Sequence, residues 1–281
     1  MRYHSSVAGD LIRIISDVHY GDRSSRVRQL GQLSPLFEGA SVLLLNGDTL
    51  DNRTGPYPLR TERSRAEVAE FFGGARITVR ILTGNHDPTL SAEHALDLAG
   101  GEVFVTHGDI LFKNIVPWGR DAGLIGRRIA AELAARPPLA TWSLEDQLEL
   151  IRRIAASIPQ RHQAEHNGLK YLVRFALDCA WPPHRLMKVL RTWRDLPGLA
   201  SALARQHRPR ARFAIVGHTH RPGVWRTASG VVVINTGSFC RPFGALAVDL
   251  EPRRLAVRRV DARAGGYQVG KVVAEFPLRG L

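Results

Sequence analysis

Six short apolar runs, rich in β-branched residues, each give way to a polar cluster: LIRIISDVHY (11–20), SVLLLNGDTLDNR (41–53), ITVRILTGNHD (77–87), EVFVTHGD (102–109), RFAIVGHTH (212–220) and VVVINTGS (231–238). Continuous apolar runs of this length predict strands buried on both faces. Helical spacing is expected around 24–38, 62–72 and 91–99, the last opened by Ser91 two residues ahead of Glu93. Strand, polar loop and helix in repetition predict an α/β layered fold with functional loops at the carboxyl ends of the strands.

The rhythm changes after residue 110. From 119 to 206 no strand pattern is visible, and helical spacing replaces it: Leu144, Leu148, Ile151 and Ala155 share one face, as do Leu186, Val189, Leu190 and Trp193. Pro137-Pro138, Pro159, Pro182-Pro183 and Pro197 divide this stretch into three or four helices. Strand character returns at 212. Residues 111–210 are therefore expected to form a helical insertion within one α/β domain made of 1–110 and 211–281. The tail GALAVDLEPRRLAVRRVDA (244–262) predicts a closing hairpin that turns near Glu251-Pro252.

A chain of 281 residues can bury a sizeable core without staples. Its formal charge of +13 favours anionic partners: a phosphate-bearing substrate, an acidic membrane surface or nucleic acid, the last least favoured. Residues 111–210 hold 17 Lys and Arg against 8 Asp and Glu, so much of the surplus lies in the insertion. Trp118, Trp142, Trp181 and Trp193 fall in or beside it, leaving Trp225 elsewhere. Tryptophan among arginines suits either a packed insertion core or peripheral contact with an anionic membrane. Cys179 and Cys240 form no metal-thiolate pattern and fit a reducing compartment. Without a secretory leader pattern or a membrane-length apolar run, the expected location is cytoplasmic.

The strand ends change the picture most. They deliver Asp17 and His19, Asp48, Asn85-His86-Asp87, His107, and His218 and His220. Any one of these reads as a turn residue. Together, two aspartates, four histidines and Asn85 offer seven oxygen and nitrogen donors suited to Mn, Fe, Zn or Mg. That is too many for one ion. With one carboxylate bridging, they supply four ligands to each of two ions about 3.5–4 Å apart, as in two-metal phosphoryl-transfer sites. Gly47, Gly84, Gly108 and Gly217 each adjoin a candidate ligand, where glycine allows a tight turn or close approach.

The blocks D-x-H (17–19), G-D (47–48), G-N-H-D (84–87), H-G-D (107–109) and G-H-T-H (217–220), in this order, resemble the calcineurin-like metallophosphoesterases. The resemblance spans residues 11 to 240 apart from the insertion. It implies a four-layer α/β/β/α sandwich of two mixed sheets, here with a helical cap, and two divalent ions, manganese foremost. By the same resemblance, Asp17, His19, Asp48 and His220 hold the first ion, and Asp48, Asn85, His107 and His218 the second. His86 acts on the substrate phosphate, with Asp87 orienting its ring. A hydroxide held by the ions attacks phosphorus in line, with no covalent enzyme intermediate. Arg53 is a candidate phosphate-gripping residue, one position away from the phosphoprotein-phosphatase pattern GDxxDRG. Asp51 is a candidate partner for a ligand histidine.

Family likeness leaves the substrate open among phosphomonoesters, diesters and pyrophosphates. A basic helical stretch between THGD and VGHTHRP is similar to the arrangement in UDP-diacylglucosamine pyrophosphatases, which makes a nucleotide-sugar lipid the favoured substrate. A nuclease or nucleotide phosphodiesterase is the alternative. A non-catalytic basic binding module is a third reading, and it predicts lost ligands where the sequence has none missing.

Overall fold

Each of two mixed sheets contains three parallel strands, at one end of the first and in the middle of the second. In the first sheet these are β1 (Ile12–Ile15), β2 (Val42–Asn46) and β3 (Thr78–Leu82); β9 (Leu246–Glu251), β10 (Arg254–Arg263) and β11 (Gly266–Pro277) extend it antiparallel, in the order β11-β10-β9-β1-β2-β3. In the second, β5 (Val103–Thr106), β6 (Phe213–Val216) and β8 (Val232–Asn235) run parallel between antiparallel β4 (Ala95–Leu98) and β7 (Gly223–Arg226). The computed structural model describes residues 11–119, 121–137, 142–160 and 183–279. Pro138, Cys179, Trp181 and Pro182 lie outside the described residues.

Alternation along each strand builds the layers. Ile14, Leu44, Leu82 and Val248 face inward and meet Val105, Phe213, Ile215 and Ile234 of the other sheet. Ile15, Leu43 and Leu45 face outward and pack against Leu33 and Leu36 of a 3-10 helix (Leu30–Phe37) and Val68 and Phe72 of α1 (Pro58–Gly73). Beyond the second sheet, Phe104, Ala214 and Val216 pack against Leu144 and Leu148 of α3 (Leu144–Ala156) and Leu196, Ala200 and Ala204 of α4 (Pro183–His207). The layers are thus helix, sheet, sheet, helix. α2 (Ala122–Ala134) adds Ile125 and Ile129 to a fourth cluster with Leu150 and Ile154 of α3. Among the described residues no helix is long and apolar enough to cross a membrane.

Four local expectations need correction. The stretch 91–99 is not helical. Although Ser91 Oγ accepts the Glu93 N–H, Gly100 and Gly101 at positive φ reverse the chain, and Ala95–Leu98 pairs antiparallel with Val103–Thr106. Sheet pairing thus outweighs a local start signal. The helix expected at 24–38 shrinks to Leu30–Phe37, which contains Pro35 with no N–H to donate. Pro197 lies inside α4 rather than ending it. On the same helix Leu186 and Leu190 are exposed, and the buried stripe runs instead through Thr192, Leu196, Ala200 and Ala204. The 244–262 hairpin forms as β9 and β10, while β7 and β11 were not anticipated.

Candidate metal centre

The loops that follow β1, β2, β3, β5 and β6 are stitched together by backbone hydrogen bonds. Asp17 N donates to Gly47 O, His19 N to Asp48 O and Gly217 N to His107 O. Among the described residues, seven non-glycine positions have positive φ, and five of them are Asp17, His19, Asp48, His218 and His220. Each such position costs on the order of 1–3 kcal/mol, so the surroundings must hold it there. Gly47, Gly84 and Gly217 make room for this: a side chain on them would run into His107, Asp48 and Asp17 respectively.

Two groups of donors result, and Asp48 belongs to both. On one side, His19 Nε2 faces His220 Nε2 at 3.0 Å, and Asp17 Oδ1 lies 3.8 Å from the first and 3.3 Å from the second. Asp48 Oδ2 stands 3.7 Å from His19 Nε2. On the other side, Asp48 Oδ2 is 3.2 Å from His107 Nε2, and ligand atoms of Asp48, His107 and His218 lie within 4.8 Å of one another. His107 Nδ1 donates to Asn46 O at 3.0 Å and His218 Nε2 to Ile115 O at 2.9 Å, so each ring turns its other nitrogen inward.

Electrostatics and hydrogen bonding both fit divalent cations here. Burial opposes ionisation of Asp17 and Asp48, yet neighbouring imidazoles hold both carboxyls well below the usual range. Burial, reinforced by His107, pushes His218 down to about 3, so that ring is a neutral donor. Asn85 Oδ1 is buried without a hydrogen-bond partner, and His107 Nε2 has only the Asp48 carboxylate, 3.2 Å away. Leaving an atom such as Asn85 Oδ1 unpaired costs about 1–3 kcal/mol, and a cation would satisfy it. The donor set of carboxylates, imidazoles and one amide oxygen suits Mn, Fe, Zn or Mg.

His86 sits at the mouth of this cluster, its ring 5.0 Å from that of His19. Its Nδ1 lies 2.9 Å from Asp51 Oδ2 and 3.0 Å from an Arg53 guanidinium nitrogen, while Arg53 grips Asp51 with two hydrogen bonds. Arg53 is therefore mostly buried and beside His86, not on the open surface. Burial and the Arg53 charge push the His86 imidazole below its ordinary value.

The expected role of Asp87 is corrected. Its carboxylate accepts from the backbone N–H groups of Asp48, Gly84 and Thr49, at 3.1, 2.6 and 2.6 Å, and is fully buried behind the loops. The residue that holds the His86 ring is Asp51, which was expected to support a metal ligand instead.

Several residues reach the site with no sequence signal for a role there. Gln160, just beyond α3, donates through Nε2 to Asp51 O at 2.6 Å and to Asp51 Oδ1 at 2.9 Å. Trp118 and Phe112 pack against the His218 ring, and Trp193 of α4 donates its indole N–H to Thr219 O at 3.1 Å. Thus two of the tryptophans noted in the sequence brace ligand loops. Only tertiary structure places them there.

Residues 11–222 match the calcineurin-like phosphoesterase family. Among solved structures, the chain is similar to a predicted phosphoesterase of Streptococcus pneumoniae, at 15% identity over 97% of this chain and 100% of that one, with a TM-score of 0.39. It is also similar to vacuolar protein sorting 29 of Cryptosporidium parvum, at 14% identity over 97% and 100%, TM-score 0.41. A dimetal phosphatase of Danio rerio shares 14% identity over 96% and 99%, TM-score 0.44. No curated protein matches the chain.

Proposed function

The chain belongs to the calcineurin-like phosphoesterase family, and from that premise we propose that it hydrolyses phosphate-ester or pyrophosphate bonds with two divalent ions. The observation that carries this reading is the shared carboxylate. Asp48 stands between the His19 side and the pair His107 and His218, within ligand reach of both. Asp17, His19, Asp48 and His220 would hold the first ion; Asp48, Asn85, His107 and His218 would hold the second. Such ions supply Lewis acidity for the phosphoryl oxygens and lower the pKa of the attacking water.

The chain's own residues divide the remaining work. With Asp51 accepting from Nδ1 and partly offsetting the burial and the Arg53 charge that lower its pKa, the His86 ring can take up a second hydrogen on Nε2 on the acid side and give it to the leaving oxygen. Arg53 fixes the Asp51 carboxylate and places positive charge beside the site where a phosphate would lie. Asp87 holds the loops after β2 and β3 in register through three backbone amides.

For the substrate we propose a bulky amphipathic anion, with a nucleotide-sugar lipid such as UDP-diacylglucosamine first, bound beneath the helices of 111–210. The support is α4, which exposes Leu186, Met187 and Leu190 among Lys188, Arg191 and Arg194. The test is hydrolysis of bis(p-nitrophenyl) phosphate with added Mn, Zn, Fe or Mg, followed by a panel of UDP-diacylglucosamine, nucleotide sugars, cyclic nucleotides and single-stranded DNA. Wild-type turnover that Asp48→Asn abolishes supports the reading. No hydrolysis with any ion would sink it, and preference for single-stranded DNA would move the substrate to nucleic acid.

A further inference from the structure

Cys240 follows β8 and is buried, yet it joins none of the four apolar clusters described above. A buried thiol usually packs as a small hydrophobe. This one has polar surroundings. Its Sγ lies within 4.8 Å of ring nitrogens of both His19 and His220, whose Nε2 atoms face each other at 3.0 Å, and Ser24 Oγ is 3.3 Å from the sulfur.

The loop that carries Cys240 is built onto the ligand turn itself. Phe239 N donates to Asp17 O at 3.1 Å, Ser238 Oγ donates to the same carbonyl at 3.2 Å, and Cys240 N donates to Ser238 Oγ at 2.9 Å. A bridge between Ser25 and Cys240 pins the other side. The sulfur is therefore fixed by the same framework that fixes Asp17 and His19.

From this geometry we propose that Cys240 is a sulfur ligand of the first ion, beside Asp17, His19, Asp48 and His220. The proposal rests on the two-ion reading above. An ion about 2.3 Å from sulfur and about 2.1 Å from nitrogen sets the two roughly 3.1–3.6 Å apart at the angles of neighbouring ligands, so the sulfur and the rings draw in around the ion as it binds. As the sulfur–metal bond forms, the S–H proton leaves to water. A soft ligand in this position makes the first site favour Zn, Co or Fe(II) over Mn and Mg. The spacing of the cysteines alone predicted no sulfur at the site.

The test is cobalt(II) titration of the metal-stripped full chain, read by absorption. Visible ligand-field bands report that the site binds an ion, and a near-ultraviolet sulfur-to-cobalt charge-transfer band reports the thiolate. Wild type and Cys179→Ser are expected to show both. Cys240→Ser and Cys240→Ala are expected to keep the visible bands and lose the charge-transfer band, with the margin by which Zn outcompetes Mn reduced. Visible bands without a charge-transfer band in wild type, or a charge-transfer band that survives in Cys240→Ser, would overturn the cysteine assignment and leave the metal site standing. Absence of every cobalt band in wild type would overturn the metal-site reading and this proposal with it.

Discussion

Asp51 Oδ2 lies 2.9 Å from His86 Nδ1, linking the loop after β2 to the loop after β3. Gln160 Nε2 in turn reaches Asp51 Oδ1 at 2.9 Å, so the helical stretch between β5 and β6 touches the group that orients the histidine. A ring that gives a proton from Nε2 needs an acceptor at Nδ1 to support its charged form.

Asp51→Asn is therefore expected to lower kcat on alkyl phosphate esters about 10- to 100-fold with little change in KM. p-Nitrophenyl esters, whose leaving group needs no proton, should slow much less. Gln160→Leu removes hydrogen bonds to Asp51 and should act in the same direction, by roughly fivefold, near the worth of one hydrogen bond. Steady-state kinetics on both substrate types check this, and equal losses on the two would argue against the assignment of His86 as proton donor.

Gly84 has an ordinary φ, so conformational freedom does not explain its presence. Space does, because a Cβ there would collide with the Asp48 side chain and backbone nitrogen. Gly84→Ala is expected to displace the shared carboxylate, costing about 1–3 kcal/mol in stability and lowering the bound metal to one ion per chain or fewer. Gly73→Ala, at the end of α1 where nothing stands within 4 Å, should leave metal content unchanged. Metal analysis and thermal denaturation of the two variants provide the comparison.

The parts legible in the sequence were those written in local pattern. β1, β2, β5, β6 and β8 are parallel strands buried between layers and β3 is a half-buried edge strand parallel to β2, so their apolar runs stand out, and the candidate ligands lie immediately beyond five of the six. β4 was misread because ALDL follows a plausible helix start while its real partner, β5, lies across a glycine turn. β11 is an edge strand whose glycines and lysine interrupt any alternation, and only its pairing with β10 defines it. Adjacency misled at Asp87: the neighbouring residue in sequence turns away from His86, and the ring is held by a residue 35 positions earlier. Gln160 lies 109 positions from Asp51, a separation over which sequence pattern carries no contact information.

His94 offers a pH-dependent contribution away from the ligands. Its ring lies between Thr83 Oγ1 and Glu149 and is mostly enclosed, and burial, together with the Arg152 charge, lowers its pKa from 6.5. The unfolded chain takes up a proton near pH 6.5 and the folded chain only at lower pH. Stability from this group is therefore complete above about pH 6.5 and is lost as pH falls from there toward the folded value. In His94→Gln that acid-side loss should be absent. Melting temperatures of metal-loaded wild type and variant between about pH 5 and 8 test the sign, and parallel curves would refute it.

Removing metal should weaken the fold as well as the activity. Without cations, Asn85 Oδ1 stays buried and unpaired, and the strained backbone at Asp17, His19, Asp48, His218 and His220 has no ion to hold it. An ion at about 100 times its Kd stabilises the folded state by about 2.7 kcal/mol per site. For a chain of 281 residues that corresponds to a fall in Tm of roughly 4–6 °C on chelation of one site, and more for two. Asp48→Asn, deprived of the shared carboxylate, should show a smaller chelator-induced fall than wild type. Calorimetry with and without chelator measures both, and an unchanged wild-type Tm in a chain shown to have bound metal would count against the coupling of these loops to the ions.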